Sequence, residues 1–396
     1  MISFDDACAL VLAQARPLGV EHTPVADALG RVLAKPVQAQ SDFPPNAVST
    51  MDGWAVRDDD LANLPARLHI AGESRPEVPF VKGLNPGECA RVFTGAAVPE
   101  NAQRVVMQEI VRPDGDHAVF ETPPSASRFL RNAGDDFRAG EELLPAGTPL
   151  MPQALVAAAA ADYASVETWR RPQILILSTG DELAEPGQAH KTAHRIPDSA
   201  SVGVAALATA WGAHVIGRER LKDDLDAMVP AANIALDRAD VVVVIGGASM
   251  GDRDFARAMF EPLGLAPIFS KVAMKPGKPV WFGRVAERLV LGLPGNPTSA
   301  FVTARLFLAP LVAGLSGRDP RMALSWRAVR LAAPLDATDD RETFWRATLN
   351  RGGNAEPLPD QASGAQKALA RSQFLIRRRP GAKAAARHDV VDGLDL

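Results

Sequence analysis

The sequence predicts a multidomain protein organised around an α/β domain at residues 171–317 with a mainly parallel sheet. Three apolar runs, residues 174–177, 241–245 and 289–293, predict strands that are covered on both faces. Each run ends in a turn that contains glycine, and segments with helical spacing lie between the runs. Strands that alternate with helices through short turns favour a parallel sheet, which binds its ligands at the carboxyl ends of its strands.

The first apolar run breaks directly into a polar turn, Ser178-Thr179-Gly180-Asp181-Glu182-Leu183. A helix is predicted for residues 201–211, followed by a short strand at 214–216. Asp223-Asp224 predicts the cap of a second helix, which runs up to the next strand. The order strand, helix, strand, helix is therefore complete before the second apolar run.

Residues 241–245 form the strongest strand pattern in the chain. They end in Gly246-Gly247-Ala248-Ser249-Met250-Gly251-Asp252, before a helix that begins near Asp254. A turn with so little side-chain bulk lets a phosphate approach backbone N–H groups at the start of a helix. The sequence therefore predicts a phosphate cradle here. Ordinary turn chemistry is the alternative, since glycine often follows a strand.

A basic loop follows, Lys271-Val272-Ala273-Met274-Lys275-Pro276-Gly277-Lys278-Pro279, in which two prolines and a glycine stiffen a segment with three ammonium groups. Such a loop suits an anion, and a solvated loop is the alternative interpretation of each lysine. The domain closes with Pro294-Gly295-Asn296-Pro297, where Asn296 suits an N-cap and Pro297 the first turn of a helix up to residue 315. Because residues 179–182, 246–254 and 294–297 follow strands directly, we expect them to converge on one edge of the sheet.

The remaining chain predicts three further units. These are a helical and linker unit at residues 1–45 plus 130–170, an inserted β-rich domain at 46–129, and a C-terminal barrel-like β domain at 318–396. Helices are predicted at residues 3–16, 25–34 and 152–161, and hairpin-like chain at 128–149. Strands are predicted at residues 68–71, 88–93, 104–111, 117–120, 327–331, 344–349 and 374–378, with tight turns at 114–116 and 350–354.

Composition and charge argue against several classes of protein. The 43 basic and 47 acidic side chains give a net charge of −4, so no general attraction to nucleic acid or to an anionic membrane is expected. The longest apolar run, residues 154–161, is too short to cross a bilayer. Cys8 and Cys89 lie far apart and outside any CxxC pattern, which predicts neither a disulfide framework nor a zinc site and fits a reducing cytoplasm.

Taken together, the motifs of the central domain closely resemble those of the molybdopterin molybdenumtransferase (MoeA) family, which includes the gephyrin E domain. The resemblance covers essentially the whole chain and implies a three-layer central domain like that of MogA. Outside the central domain it rests on Ser49-Thr50-Met51-Asp52-Gly53-Trp54-Ala55, Phe93-Thr94-Gly95-Ala96, Gly134-Asp135-Asp136-Phe137-Arg138-Ala139-Gly140 and, more loosely, Asp360-Gln361-Ala362-Ser363-Gly364.

The resemblance implies a cytoplasmic homodimer that takes adenylylated molybdopterin and molybdate, cleaves the adenylate and leaves molybdenum on the pterin dithiolene. A molybdopterin adenylyltransferase is the expected protein partner. The positions that match the family motifs imply the catalytic residues Asp52, Glu182, Asp254, Lys271 and Lys275. The residues implied to bind the substrates are Thr94, Thr179, Gly180, Asp198, Ser199, Gly246, Gly247, Ser249, Lys278, Pro294, Gly295 and Pro297.

Residue chemistry adds magnesium to this expectation. Phosphate and molybdate are both anions, and bare carboxylates would repel them by roughly 4 kcal/mol per pair at about 4 Å and an effective dielectric near 20. A divalent cation removes the conflict, and oxygen ligands together with phosphate favour Mg²⁺. The predicted metal ligands are Asp52, Asp136, Glu182 and Asp224. A helix cap or a turn is the alternative role for each of these acids, and for Asp224 above all.

The chain departs from the family pattern at two places. Pro197-Asp198-Ser199-Ala200 stands where the family usually has Tyr-Asp-Ser/Thr-Asn, and Gln103-Arg104 replaces a more usual Asp-Ala. With these changes, a specialised paralogue or a dimeric scaffold of the same fold remains an alternative for this protein. A molybdopterin adenylyltransferase-like enzyme is a further alternative, although it would not need the segments around Asp52, Thr94 and Asp136.

Overall fold

The computed structural model describes residues 1–247 and 255–396. Helices lie mainly in the central part of the chain, between the strands that the apolar runs predict. A π-helical stretch, Ala304–Leu308, joins two of them into one long helix. The α-helices are α1 Phe4–Gln14, α2 Pro152–Ala160, α3 Ser199–Ala210, α4 Leu225–Arg238, α5 Phe255–Ala258, α6 Pro297–Thr303, α7 Ala309–Leu315 and α8 Gln366–Leu369.

The strands fall into several separate sheets. In chain order they are β1 Val20–Pro24, β2 Val37–Gln38, β3 Val48–Ser49, β4 Gly53–Val56, β5 Ala66–Ser74, β6 Glu88–Val92, β7 Arg104–Met107, β8 Val111–Asp114, β9 His117–Phe120, β10 Leu130–Arg131, β11 Glu142–Leu144, β12 Ser165–Trp169, β13 Gln173–Thr179, β14 Leu183–Ala184, β15 Ile196–Pro197, β16 His214–Leu221, β17 Val241–Ile245, β18 Ala266–Phe269, β19 Met274–Lys275, β20 Trp281–Val285, β21 Arg288–Leu293, β22 Arg327–Arg330, β23 Glu342–Leu349, β24 Ala355–Pro357, β25 Phe374–Arg378 and β26 Val390–Asp395.

The central sheet has six strands in the order β16-β13-β17-β21-β20-β18. The first four run parallel, and β20 and β18 add an antiparallel edge, which confirms the mainly parallel α/β fold. Ser178 pairs with Ile245, and Ile245 pairs with Leu293. The three predicted turns therefore leave the sheet at the same level and on the same edge.

Different helices cover the two faces of this sheet. Ile174 and Ile176 pack in one buried cluster with α1, α3 and the long helix, whereas Leu175 and Leu177 pack in another with α4 and α5. The alternation follows from the period of two along a strand. The result is a three-layer domain with apolar strands buried on both sides, as the unbroken apolar runs predict.

The long helix, Pro297–Leu315, is a core element. Among the described residues it is the one helix that could cross a membrane by length and composition, and 94% of its most apolar stretch is buried inside the protein. The buried Arg305 guanidinium donates hydrogen bonds to the carbonyl oxygens of Ala323 and Asp395. These bonds tie the central domain to the C-terminal region.

The inserted region forms a second six-stranded sheet, in the order β7-β4-β6-β5-β9-β8. The hairpin predicted at Asp114-Gly115-Asp116 joins β8 to β9, and Gly115 has a φ of 64° that suits the turn. Three short ladders, β1–β12, β2–β11 and β3–β10, join the chain before this sheet to the chain after it.

The C-terminal sheet has the order β19-β23-β25-β26-β22, with β24 added to β23. A bridge between Leu331 and Ala355 connects the end of β22 back to β24, which gives the sheet its barrel-like form. Its edge strand β19 comes from the basic loop of the central domain and runs parallel to β23. The basic loop is therefore shared by two units of the protein.

Three predictions of local structure are wrong. The strand expected at residues 104–111 ends at Met107, because residues 108–110 form a short helical turn before β8 begins at Val111. The helix expected at residues 25–34 is only the short turn Val25–Asp27, because Gly30 takes a left-handed φ of 73° and ends any helical path. Residues 128–149 do not form a hairpin with themselves. Instead β10 pairs with β3 and β11 with β2, long-range pairings that a local pattern does not reveal.

Candidate functional site

A cavity of about 810 Å³ opens at the carboxyl ends of β13, β17 and β21. We call it the first cavity. The described residues of the three predicted turns, 179–182, 246–247 and 294–297, meet there, as expected for ligand sites of parallel sheets. Of the predicted substrate-binding residues, those that line the first cavity are Thr179, Gly180, Asp198, Ser199, Gly246, Gly247, Pro294, Gly295 and Pro297.

The glycine turn after β17 is packed too closely for any side chain. A Cβ on Gly246 would lie 2.7 Å from the Thr179 carbonyl oxygen, and one on Gly247 would lie 2.8 Å from the Ala256 nitrogen. Both glycines also have positive φ, 102° and 68°. The Gly246 N–H already donates to the Leu293 carbonyl at 3.2 Å. This donor of the predicted phosphate cradle is therefore used in a hydrogen bond to the neighbouring strand.

Asp198 is almost fully buried and organises the start of α3. Its carboxylate accepts hydrogen bonds from the Ser201 backbone N–H at 3.2 Å and from the Ser201 hydroxyl at 2.7 Å. Arg218 donates in turn to the Ser201 hydroxyl at 3.0 Å. The Asp198 carboxylate therefore caps the helix, and the Ser201 hydroxyl is engaged in the same network.

Two hydroxyl groups at the first cavity have no partner among the residues that the structure describes. The Oγ1 of Thr179 and the Oγ of Ser199 are both buried without a hydrogen bond. Ala200, the residue that departs from the family pattern, lines the cavity beside them. A buried hydroxyl without a partner is costly, so these groups suit contact with a bound ligand.

Glu182 is the carboxylate of the first cavity that fits a metal best. Within residues 1–247 and 255–396 it forms neither a side-chain hydrogen bond nor an ion pair, and Asp223 lines the same cavity. A Cβ on Gly180, whose φ is 143°, would lie 2.6 Å from the Glu182 carboxylate, so glycine is needed for that carboxylate to fold back over the turn. Oxygen ligands of this kind are those that Mg²⁺ prefers.

A second cavity, of about 540 Å³, adjoins the first and lies between the basic loop and the C-terminal sheet. Lys275, Lys278 and Arg341 bring three cationic groups to it. Arg341 is paired with Asp339 at 2.8 Å, whereas neither lysine forms an ion pair within the part of the chain that the structure describes. The second cavity is therefore a cationic pocket that suits an oxyanion.

The pairing of β19 with β23 builds this second cavity. Met274 at the start of β19 is buried, and Lys275 beside it is exposed, as the alternation along a strand requires. A Cβ on Gly277 would lie 2.2 Å from a methyl group of Thr303, so the loop can pack against the long helix only with glycine there. The backbone of the basic loop is thus held in place by two domains, while the side chain of Lys275 is exposed.

Asp52, Thr94 and Asp136 lie apart from both cavities. One oxygen of Asp52 accepts hydrogen bonds from the Thr94 backbone N–H and hydroxyl, each at 2.8 Å, and these donors hold the pKa of Asp52 below its ordinary value. Asp136 pairs with Arg131 at 3.4 Å. The β3–β10 ladder is antiparallel, so the chain after β3, with Asp52, and the chain after β10, with Asp136, run in opposite directions, and the Asp136 N–H donates to the Phe43 carbonyl at 3.0 Å.

Other predicted residues are placed differently. Asp224 caps α4 by accepting a hydrogen bond from the Asp226 N–H at 3.1 Å, the alternative role that its position allowed. Lys271 is not among the residues that line either cavity. Ser249 and Asp254 lie outside the described residues. Over the described ranges no three acidic, histidine or cysteine side chains form one metal-binding group, so Asp52, Asp136, Glu182 and Asp224 are not brought together within one chain.

Several residues of the second cavity are not predicted from the sequence, among them Ser299, Arg341 and Trp345. Arg341 and Trp345 give no local signal because they reach the cavity through the pairing of β19 with β23, whereas Ser299 lies on α6, directly after the motif that ends at Pro297. Ser363 also lines this cavity, and the motif Asp360-Gln361-Ala362-Ser363-Gly364 was its only trace in the sequence.

Comparison with known proteins agrees with this architecture. Residues 2–161 match the family model described as "MoeA N-terminal region (domain I and II)", and residues 175–314 match "Probable molybdopterin binding domain". The molybdopterin molybdenumtransferase of a Nostoc species is 36% identical over 81% of this chain and 75% of its own length. The Synechococcus elongatus protein of the same name is 32% identical over 94% of both chains.

A solved structure extends the likeness to the whole fold. The molybdopterin biosynthesis moeA protein of Pyrococcus horikoshii superimposes with a TM-score of 0.86 at 26% identity. The match covers 100% of this chain and 99% of the other. The likeness therefore includes the inserted sheet and the C-terminal sheet as well as the central domain.

Proposed function

Because the chain belongs to the molybdopterin molybdenumtransferase family, we propose that it inserts molybdenum from molybdate into adenylylated molybdopterin and releases AMP. This makes it a transferase of molybdenum cofactor biosynthesis. The observation that carries the proposal is the pair of adjoining cavities. The first lies at the strand ends, where a nucleotide binds in such folds, and the second is cationic.

In the first cavity the adenylate and the pyrophosphate lie against the glycine turns. The hydroxyls of Thr179 and Ser199, which have no hydrogen-bond partner within residues 1–247 and 255–396, donate to the nucleotide. The cavity volume of about 810 Å³ is within the range of small-molecule sites. Hydrolysis breaks the P–O–P bond between the phosphate of AMP and the phosphate of the pterin: the oxygen of a water molecule bonds to one of the two phosphorus atoms, and AMP leaves.

In the second cavity Lys275 and Lys278 hold the molybdate oxyanion next to the pterin end of the substrate. Each charge-assisted hydrogen bond from a lysine contributes about 1.5–3 kcal/mol. Neither ammonium group forms an ion pair within the described residues, although the charge of Lys275 helps to lower the pKa of Asp339, and two such groups favour a dianion over a neutral ligand. The position of this cavity beside the first brings the oxyanion and the pterin together.

Magnesium fits the first cavity on the basis of its donors. Glu182 would hold the ion together with a substrate phosphate, and the ion would neutralise phosphate charge during cleavage. Without it, the Glu182 carboxylate and the phosphate would repel each other. Among this chain's own groups, Glu182 thus orients the pyrophosphate end of the substrate.

The active unit in this proposal is a homodimer in the cytoplasm. Asp52, Thr94 and Asp136 line neither cavity, so they would complete the site of the other subunit. A molybdopterin adenylyltransferase would supply the substrate, because its product is the adenylylated pterin consumed here.

The test is a single-turnover assay with purified protein, adenylylated molybdopterin, molybdate and Mg²⁺. We expect AMP to appear in the presence of molybdate, measured by chromatography, and Glu182→Gln to slow its release. If the protein retained no pterin nucleotide and released no AMP, the enzymatic proposal would be wrong.

A further inference from the structure

The wall between the two cavities consists of residues that line both of them: Pro279, Pro294 and Asn296. The proline side chains offer no hydrogen-bonding groups. Asn296 is therefore the residue of this shared wall whose side chain can make polar contacts on either side. Its amide carries two N–H donors and one carbonyl acceptor.

Asn296 stands at the N-cap of α6 but does not cap the helix with its side chain. An N-cap asparagine ordinarily accepts a hydrogen bond from a backbone N–H of the first turn. Here the Nδ2 instead donates to the hydroxyl of Ser363 at 3.0 Å, across to the C-terminal sheet. The amide orientation is thus set by Ser363 and not by the helix that follows.

Ser363 is itself held by a rigid loop. The guanidinium of Arg346, only 1% exposed on β23, donates to the carbonyl oxygens of Asp360 and Ala362, each at 3.1 Å. Gln361 makes two further bonds with the Arg346 backbone, at 3.0 and 2.9 Å. A loop fixed by four such bonds presents Ser363 to the second cavity with little conformational freedom.

The direction of these hydrogen bonds favours anions on both sides of the wall. Ser363 accepts from Asn296, so its own O–H is left to donate into the second cavity, which Ser363 lines. Asn296 has a second N–H to donate at the first cavity. An oxyanion that accepts from the Ser363 hydroxyl fixes the direction of that O–H, and this leaves the Ser363 oxygen positioned to accept from Asn296 and to hold the orientation of its amide.

We propose that the two cavities are halves of one composite site, and that Asn296, oriented by Ser363, is the positioning residue that couples them. This inference rests on the proposed function. An oxyanion in the second cavity fixes the Ser363 hydroxyl and, through it, the Asn296 amide, so that a nucleotide in the first cavity binds more tightly. Linkage requires the reverse effect to be equally large.

The experiment measures the dissociation constant of AMP by calorimetry, with and without saturating molybdate, at constant Mg²⁺ and ionic strength. For the unmodified protein we expect AMP to bind about fivefold or more tightly with molybdate present, the lower end of typical couplings. The reciprocal titration of molybdate should give the same ratio. Sulfate in place of molybdate tests whether an unreactive dianion is sufficient.

Asn296→Ala and Ser363→Ala should each bring the ratio of the AMP dissociation constants without and with molybdate close to one. The double variant should change this ratio no further. Asn233→Ala is the matched control, because Asn233 is exposed on α4 and far from the wall in sequence, and it should keep the full ratio. If Asn296→Ala folds poorly, Asn296→Ser keeps a residue that suits an N-cap, and it should lose the ratio because a serine side chain is too short to reach Ser363.

The outcomes separate this inference from the proposed function. If AMP and molybdate each bind to the unmodified protein but independently, the coupling is refuted and the proposed function stands. The coupling is also refuted if Asn296→Ala keeps the full ratio. If neither AMP nor molybdate binds, both proposals fall.

Discussion

Lys275 and Lys278 differ from the third cation of the second cavity, Arg341, in having no ion pair within residues 1–247 and 255–396. Lys275→Ala should therefore weaken molybdate binding by about tenfold or more, the loss of one charge-assisted hydrogen bond. Its side chain is exposed, so we expect the melting temperature to stay unchanged. Calorimetric titration with molybdate and thermal denaturation measure the two effects.

Lys82→Ala is the matched control, since Lys82 is an exposed lysine of the inserted region and lines neither cavity. It should leave molybdate affinity as it was. Equal affinities for the Lys275→Ala variant and the unmodified protein would mean that the Lys275 ammonium group is only solvated and does not contact the oxyanion.

Ala200 is the residue at which the first cavity departs from its family. If the usual asparagine makes one or two hydrogen bonds to the ligand, its absence costs about 1 kcal/mol for each, or about fivefold to thirtyfold in affinity. The Ser201 hydroxyl cannot replace it, because Asp198 and Arg218 already engage that group. Ser199 is better placed, since its buried hydroxyl has no partner among the described residues.

Ala200→Asn should accordingly tighten AMP binding by about fivefold for each bond gained, measured by calorimetry. Ser199→Ala should weaken AMP binding in the present protein, and by less when it is combined with Ala200→Asn. An Ala200→Asn variant that folds and shows no gain would mean that the amide does not reach the ligand, and that the chain recognises the nucleotide in another way.

At the scale of elements, the sequence predicts what is decided locally. The strands 174–177, 241–245 and 289–293 and their turns are visible because apolar runs and glycines lie next to each other in the chain. The second cavity is not visible, because it depends on β19 joining a sheet whose next strand begins at Glu342, 67 residues after Lys275 in the numbering of the chain. Pairing at that distance leaves no periodicity in the sequence.

Asp240 shows how the ends of the central strands are held together. It lies directly before β17 and accepts hydrogen bonds from Arg170, from the backbone N–H of Gln173 and from Arg288. Burial raises the pKa of this carboxyl. The hydrogen bonds from Arg170 and Gln173 and the charge of Arg288 lower the pKa by more than burial raises it, so the net pKa is depressed. A depressed pKa in the folded state means that the ionised carboxylate stabilises the fold.

This stabilisation is present above the unfolded pKa of about 3.9 and is lost as the pH falls through the folded value. Asp240→Asn should therefore lower the free energy of unfolding at pH 7 by about 1–3 kcal/mol, and the difference from the unmodified protein should shrink at acid pH. Urea denaturation at pH 7 and near pH 3 measures this. A difference that stayed constant with pH would mean that the substitution acts through packing and not through charge.

At the scale of the whole molecule, the residues implied to act together lie on separate parts of the chain. Glu182 and Lys275 line the central cavities, while Asp52 follows β3 in the inserted region and Asp136 follows β10 in the linker unit. A symmetric dimer resolves the separation, because a two-fold axis can bring the inserted region of each subunit to the cavities of the other. The family resemblance implies such a dimer, and the placement of Asp52 outside both cavities is the structural reason to test it.

Complementation between variants tests the shared site directly. In a heterodimer of an Asp52→Ala subunit with a Glu182→Ala subunit, one site combines an intact Glu182 with the intact Asp52 of the other chain, and the second site carries both changes. Random mixing makes half of the dimers heterodimers, so AMP release should recover to about one quarter of the unmodified rate. Mixing the Glu182→Ala and Lys275→Ala variants is the matched control. Because both residues come from the same central domain, no heterodimer contains an intact site. The rate should therefore not exceed the mean of the rates of the two variants. If the Asp52→Ala and Glu182→Ala mixture also stays at that mean although subunits exchange, each chain carries a complete site and Asp52 acts within its own subunit.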